Sequence, residues 1–92
     1  MADAQMIVQG QVTMETVPAL FAQGLQHLGR ANLLADFSQA EAVDSAAVSM
    51  LLAWQRAAQR GQRTLQIANL PENLLSLARL YGIEELLPKQ SA

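Results

Sequence analysis

The residue pair with the clearest chemical potential is Asp44-Ser45, a carboxylate followed directly by a hydroxyl. Apolar side chains recur at helical spacing over residues 45–60, so the pair lies where a long helix begins. Either side chain could cap that helix by accepting hydrogen bonds from its first N–H groups. The helix dipole would favour a phosphate on Ser45, whereas the neighbouring carboxylate would oppose it. The pair therefore predicts a helix cap, a contact residue or, less strongly, a phosphorylation site.

The other residues that could support catalysis or metal binding lack the partner residues that a catalytic or metal site requires. His27 is the only histidine and the chain has no cysteine, so we expect no transition-metal site. Glu84 and Glu85 are adjacent on a leucine-rich segment, which is typical of a solvated edge rather than an acid–base pair. The glycines are isolated, so no phosphate-binding loop is indicated. We expect no enzymatic activity and no cofactor, since no nucleophile, base and orienting group combine.

Arg56, Arg60 and Arg63 form a thin basic stripe that could meet an acidic partner. Three cations are too few to indicate nucleic-acid binding, and the formal net charge of −2 gives no basic field. We therefore expect no nucleic-acid partner.

Composition favours one small cytoplasmic domain spanning residues 1–92. Hydrophobic residues make up 51% of the chain and charged residues 15%, so a single core can form. No apolar run approaches the ~20 residues needed to cross a bilayer. The first residues lack the basic and apolar segments of a signal peptide. Any membrane contact is expected to be indirect.

Strand and helix signals alternate along the chain. Three apolar runs predict strands, at residues 6–12, 33–37 and 65–68, and the second is expected to be buried on both faces. Thr16 and Pro18 predict the start of a first helix that ends near Gly29. The second helix covers residues 45–60 and should stop at Gly61 in a left-handed conformation.

A capping box at residues 69–72 predicts a third helix that stops at Gly82, and residues 83–88 could add a final strand or helical turn. Strands that alternate with helices imply parallel pairing. The sequence thus predicts an α/β fold with a small, mostly parallel sheet of about four strands covered by helices.

The long helix has two distinct sides. The side predicted to face the sheet contains Ala47, Leu51, Trp54 and Ala58, with Val48 and Leu52 beside them. The opposite side is unusually poor in charge for an exposed helix and contains Ala46, Ser49, Ala53, Arg56, Ala57 and Arg60, with Met50 at its border. Small side chains let a partner approach closely, and Met adapts to its shape. Alanine is also simply the best helix former, which is the alternative explanation.

Asp36-Phe37-Ser38, then Val43-Asp44-Ser45, then a long apolar helix closed by Gly61 together resemble the STAS domain family. The segment from Leu77 to Ile83, followed by Leu86-Leu87-Pro88, is most similar to MlaB-type members. Family members include anti-sigma-factor antagonists, the tails of sulfate transporters and accessory subunits of phospholipid-transport ABC systems. The resemblance implies an α/β domain that acts by binding other proteins.

The resemblance also suggests what Ser45 does. In anti-sigma-factor antagonists the matching hydroxyl residue is phosphorylated, whereas in MlaB-like proteins it contacts the ATPase subunit. Ala46-Ala47-Val48 and Thr13 depart from the usual antagonist pattern, so we favour docking onto an MlaF-like ATPase at the inner face of the inner membrane. Phosphorylation of Ser45 is the alternative, and a homodimer is left open. The residues expected to contact the partner are Asp44, Ser45, Ala46, Ser49, Met50, Ala53 and Arg56.

Overall fold

The predicted alternation of strands and helices is confirmed. A computed structural model describes residues 3–82. Its elements are β1 (Ala4–Val12), α1 (Val17–Leu28), β2 (Leu33–Val43), α2 (Ser45–Arg60), β3 (Leu65–Ala68) and α3 (Glu72–Leu80). The limits of α2 are those expected from the sequence.

The three strands form one parallel sheet in the order β1-β2-β3. Ala35 is the centre of the register, since it lies opposite Met6 on one side and Ile67 on the other. The sequence predicted about four strands, and the described residues contain three, so the predicted count is only approximate. Residues 83–88, suggested as a final strand or helical turn, lie outside the described residues.

Helices pack on one face of this sheet, so the prediction that β2 is buried on both faces is wrong. Leu33, Ala35 and Phe37 are buried, whereas Leu34 and Asp36, which point to the other face, are partly exposed. Right-handed crossovers that advance steadily from β1 to β2 to β3 place α1 and α2 on the same face. The opposite face is left open within the described part of the chain.

Strand β2 is also longer than its apolar run, which ends at Phe37. Its second half continues the pairing with β1 through two register shifts, one on either side of Gly10. Gly10 has φ +73°, a backbone conformation that favours glycine. The side chains here are polar or small and mostly exposed, so hydrophobic pattern could not reveal this part of the strand.

The core is centred on Trp54, which has no exposed surface. The predicted core side of α2 is confirmed for Ala47, Val48, Leu51, Trp54 and Ala58, while Leu52 is only partly buried. The indole Nε1 donates a hydrogen bond to the Phe21 carbonyl oxygen at 3.1 Å, which joins α2 to α1.

Two helix ends differ from their predictions in detail. Gly61 has φ −92°, and the left-handed residue is the next one, Gln62, with φ +57°. The capping box before α3 does not form, because Pro71 occupies the N-cap and no side chain caps the helix. Gly82, with φ +71°, follows α3 as predicted.

Gly24 of α1 lies directly against the Trp54 indole of α2, and replacing it should destabilise the fold. A Cβ added at Gly24 would overlap three atoms of the Trp54 indole. We expect Gly24→Ala to lower the free energy of unfolding by about 1–3 kcal/mol, because overpacking outweighs the better helix propensity of alanine. Urea denaturation measures this change.

Gly29→Ala is the matched control. Its Cβ would meet only carbonyl oxygens at 3.5 Å and 3.6 Å, an ordinary contact distance, and its φ of −72° suits alanine. Equal stability of both variants would contradict the proposed close packing of α1 against Trp54.

Candidate functional site

Asp44 connects two loops at the carboxyl edge of the sheet. Its Oδ1 accepts a hydrogen bond of 2.8 Å from the Ala46 N–H, which caps α2 as predicted. Its Oδ2 accepts a second bond of 3.1 Å from the Met14 N–H, thirty residues earlier in the chain. One carboxylate therefore starts the long helix and fixes the turn between β1 and α1 beside it.

Hydrogen bonds within the β1–α1 turn hold its shape. Thr16 lies at the N-cap of α1, as predicted, but its hydroxyl does not cap that helix. It accepts a bond of 2.9 Å from the Thr13 N–H and donates one of 2.8 Å to the Gln11 carbonyl oxygen. The turn consequently presents Met14, whose surface is 74% exposed. Met14 was not predicted as a site residue; the available signal was an isolated apolar residue between polar ones in a turn.

Ser45 is the first residue of α2 and is exposed. Asp44 is the cap, so the alternative that Ser45 caps the helix is wrong. The Ser45 hydroxyl makes no hydrogen bond with any residue between positions 3 and 82. It is therefore available to a partner or to a modifying enzyme.

The outer side of α2 continues from Ser45 along the helix. We define the α2 outer face as Ser45, Ala46, Ser49, Ala53 and Arg56. Ser49 and Arg56 are exposed, and Ala46 and Ala53 are partly exposed. These five residues share one side of the helix, as the periodicity predicts.

Met50 does not belong to this face, so its expected place at the border of the exposed side is wrong. Only 2% of its surface is exposed, and it lies in the core. Its spacing of three residues from Ala47 and four from Trp54 places it on the buried side. Met14, on the neighbouring turn, is instead the exposed methionine at this edge.

A second polar contact lies at the carboxyl edge, between β2 and the loop after β3. Asp36 Oδ1 accepts hydrogen bonds of 2.9 Å from the Asn69 amide and 2.8 Å from the Ser38 N–H. The Asn69 side chain, the Ser38 N–H and the Ser38 hydroxyl, in that order, lower the pKa of Asp36 below its usual value. Asn69 has φ +58°, so this loop is shaped by the contact with Asp36 rather than by a capping box.

The structure offers little that would support metal or small-molecule chemistry. Within residues 3–82, no three His, Asp or Glu side chains come together as a metal site would require. A shallow groove of about 250 Å³, bordered by Asp3, Asn32 and Thr64, lies at the amino edge of the sheet, opposite Ser45. None of the helices in this part of the chain has the length and apolar character needed to cross a membrane. Glu84 and Glu85 lie outside the described residues.

The fold defines the class of protein. The solved structure of the anti-sigma factor antagonist SpoIIAA in its unphosphorylated form is similar, with a TM-score of 0.72. The match covers 100% of this chain and 83% of that chain, at 12% sequence identity. At this identity the likeness shows the fold alone, which is the STAS fold.

A more specific assignment comes from the sequence. A family model described as "Mlab, STAS domain" matches residues 1–88. The chain therefore belongs to the MlaB-type STAS domain family. A search of curated proteins finds no match.

Asp44 and Ser45 should differ sharply when each is replaced by alanine. Asp44→Ala removes the cap of α2 and the bond to Met14, so we expect a loss of about 1–2 kcal/mol in unfolding free energy. Ser45→Ala removes no hydrogen bond to any of residues 3–82 and should change stability by less than about 0.5 kcal/mol. Thermal and urea unfolding measure both, and a Ser45→Ala loss as large as that of Asp44→Ala would show that Ser45 shares the capping role.

Proposed function

We propose that this protein is a non-catalytic accessory subunit that binds the ATPase of a phospholipid-trafficking, Mla-type ABC transporter. It would act at the cytoplasmic face of the inner membrane and support assembly or activity of the ATPase. Membership of the MlaB-type family supports this proposal. The observation that carries it is the exposed Ser45 hydroxyl at the start of the α2 outer face, which bonds to no residue in the described part of the chain.

The shape of this face suits a protein partner. Ala46 and Ala53 place only a methyl group above the helix backbone, so a partner helix or loop can come close without displacing long side chains. Ser45 and Ser49 add hydroxyl groups that can donate or accept hydrogen bonds along the same line. No acidic residue occurs anywhere in α2, and Arg56 is exposed at the far end of the face.

Met14 extends the surface beyond the helix. The bond between its N–H and Asp44 places the β1–α1 turn beside the start of α2. A flexible, apolar side chain that is 74% exposed can fill a pocket on a partner. A proposed interface that combines Met14 with Ser45 and Ser49 thus has an apolar anchor next to polar contacts.

Docking could influence an ATPase without any chemistry in this chain. A partner shifts a conformational equilibrium only by the difference between its affinities for the two states. If the α2 outer face binds the assembled ATPase better than the unassembled one, it stabilises the assembled form. The rigid attachment of α2 to the core would make such discrimination effective.

The proposal is tested by co-purification with the ATPase. A glutamate at the centre of the α2 outer face would put a long, charged side chain where the partner must approach closely, so Ala53→Glu should weaken binding at least tenfold. Ser49→Glu provides a second variant at an exposed position, in case the partly buried Ala53 tolerates glutamate poorly. Circular dichroism and thermal unfolding verify that each variant is folded.

Gln26→Glu is the matched control, since it adds the same charge at an exposed position on α1. It should co-purify like the natural chain. Folded Ala53→Glu and Ser49→Glu variants that retain the ATPase would remove the α2 outer face from the proposal. A natural chain that does not bind the ATPase would overturn the proposed function itself.

A second candidate function is that of an anti-sigma-factor antagonist switched by phosphorylation of Ser45. Ser45 favours it because its hydroxyl is exposed and lies at the positive end of the α2 dipole. Asp44 opposes it, since a phosphate carrying nearly two charges would stand beside this carboxylate. We therefore place it second.

Intact-mass measurement after incubation with ATP and a cognate kinase separates the two functions. The docking proposal predicts no added phosphate. One phosphate that is absent from Ser45→Ala, and that abolishes binding to an anti-sigma factor, would favour the switch. Since Ser45→Ala should retain the fold, loss of the modification could then be attributed to the hydroxyl.

A further inference from the structure

Four of the five arginines in the described part of the chain lie toward the end of the molecule opposite Ser45. Residues 3–82 contain five arginines and no lysine. Arg30 follows the end of α1, Arg60 is the last residue of α2, and Arg63 lies in the loop before β3. Arg56 is one helical turn before Arg60. We call Arg30, Arg56, Arg60 and Arg63 the arginine cluster.

Connectivity brings these residues to one edge. Each crossover helix starts at the carboxyl edge of the sheet and returns to its amino edge, so α1 and α2 end side by side. The loops that follow are joined to the strand starts: Ala4 N–H donates to Asn32 O at 2.8 Å, and Leu33 N–H donates to Thr64 O at 2.9 Å. The Asn32 side chain adds a bond of 2.9 Å from the Thr64 N–H. The backbone that carries the cluster is therefore well fixed.

Acidic residues do not neutralise this edge. Within the described part of the chain, no carboxylate forms an ion pair with any residue of the arginine cluster. Asp3, the carboxylate at the start of β1, accepts its hydrogen bond from Asn32 instead. The remaining acidic residues between positions 3 and 82 lie nearer the other edge. Glu15, Asp44 and Glu72 lie just before or at the start of the three helices, Glu41 lies near the end of β2, and Asp36 is opposite Ala68, the last residue of β3.

Helix dipoles explain only part of this separation. A cation in the last turn of a helix is favoured by the negative end of its dipole, which accounts for Arg60. Arg63 lies beyond the helix in the following loop, and its N–H already donates to the Ala58 carbonyl oxygen at 2.7 Å. The dipole effect is confined to the final turn, so it does not account for all four cations of the cluster, which form no ion pair within residues 3–82.

We propose that the arginine cluster is a second docking surface, which binds an acidic segment of a protein partner. The planar guanidinium group matches the geometry of a carboxylate and can form two parallel hydrogen bonds with it. The cluster uses arginine alone, and it lies at the opposite end of α2 from Ser45. A partner bound along the α2 outer face would share Arg56 with the cluster and would leave Arg30, Arg60 and Arg63 accessible.

An acidic protein segment fits this surface better than a lipid surface does. Stable attachment to a bilayer usually combines basic residues with apolar side chains that insert into it. Among residues 3–82, the large apolar side chains that are more than half exposed belong neither to α2 nor to the loops that carry the cluster; they are Ile7, Met14, Leu80 and Tyr81. Carboxylates need no such insertion.

The interaction should be weak and sensitive to salt. Each ion pair between exposed side chains changes an equilibrium by only about 1.4- to 5-fold. Several such pairs would mainly accelerate and orient the encounter with an acidic partner. Salt at about 0.5 M would suppress it, because screening then acts over a few ångströms.

The test measures binding of the full chain to a fluorescein-labelled deca-glutamate peptide by anisotropy. We expect measurable binding at about 50 mM salt that is lost at about 500 mM. The double variant Arg60→Gln/Arg63→Gln should bind about tenfold more weakly at low salt, within the range expected for two exposed pairs. Gln9→Glu/Gln11→Glu changes the net charge by the same two units at exposed positions on β1 and should bind like the natural chain.

Vesicles of phosphatidylglycerol and phosphatidylcholine form the second arm of the experiment. Binding to these vesicles without binding to the peptide would overturn the proposal and assign the cluster to lipid. Equal peptide affinity of the natural chain and Arg60→Gln/Arg63→Gln would overturn it as well, as would the absence of salt-sensitive binding. Neither result depends on the ATPase, so this proposal and the proposed function can fail separately.

Discussion

The two hydrogen bonds accepted by Asp44 determine the form of the carboxyl edge. One starts α2 by pairing with the Ala46 N–H, and the other holds the β1–α1 turn through the Met14 N–H. Both bonds involve a charged acceptor, which makes them stronger than hydrogen bonds between neutral groups. Because the cap is supplied by Asp44, the hydroxyl of Ser45 is not used in capping and can face outward. The Ser45 hydroxyl is therefore exposed because the neighbouring Asp44, and not Ser45, caps α2.

Trp54 gives the site its rigid support. Its indole is fully buried, bonds to the Phe21 carbonyl oxygen and packs against Gly24, where α1 has no side chain. These contacts fix the rotation of α2 about its own axis as well as its distance from α1. A rotation by one residue, about 100°, would bury Ser49 and expose core side chains. The packing of Trp54 and the other buried side chains of α2 thus determines which residues form the α2 outer face.

Periodicity and chain order were sufficient for the fold, but contacts between distant residues were not. The limits of α2 followed from an acidic cap, an apolar stripe and a terminal glycine, all of which are local signals. The second half of β2 was missed because its partly exposed residues carry no alternating pattern. The roles of Thr16 and Asn69 were missed because each side chain had a local capping role available and formed another bond instead. Local sequence does not show whether such a side chain caps its own helix or bonds to another part of the chain.

The site itself could be predicted in outline only. Ser45, Ser49 and Ala53 were placed correctly on one side of α2, since helical geometry determines which residues share a side. Met50 was misplaced because helical angles alone put it between the two sides of α2, whereas packing in the folded protein leaves only 2% of its surface exposed. Met14 could not be found at all, because its position next to α2 depends on a bond to Asp44 thirty residues away. Tertiary hydrogen bonds of this kind leave no periodic trace.

Helix α2 joins two ends of the molecule that differ in charge and exposure. Its 16 residues span about 24 Å, with Ser45 at one end and Arg60 at the other. This length is about three times the screening distance of roughly 8 Å at physiological ionic strength. A charge placed on Ser45 would therefore have little direct electrostatic effect on the arginine cluster. Any coupling between partners bound at the two ends would have to pass through the packing of α2 against α1 and the sheet, and the tight Gly24–Trp54 contact leaves little room for α2 to shift.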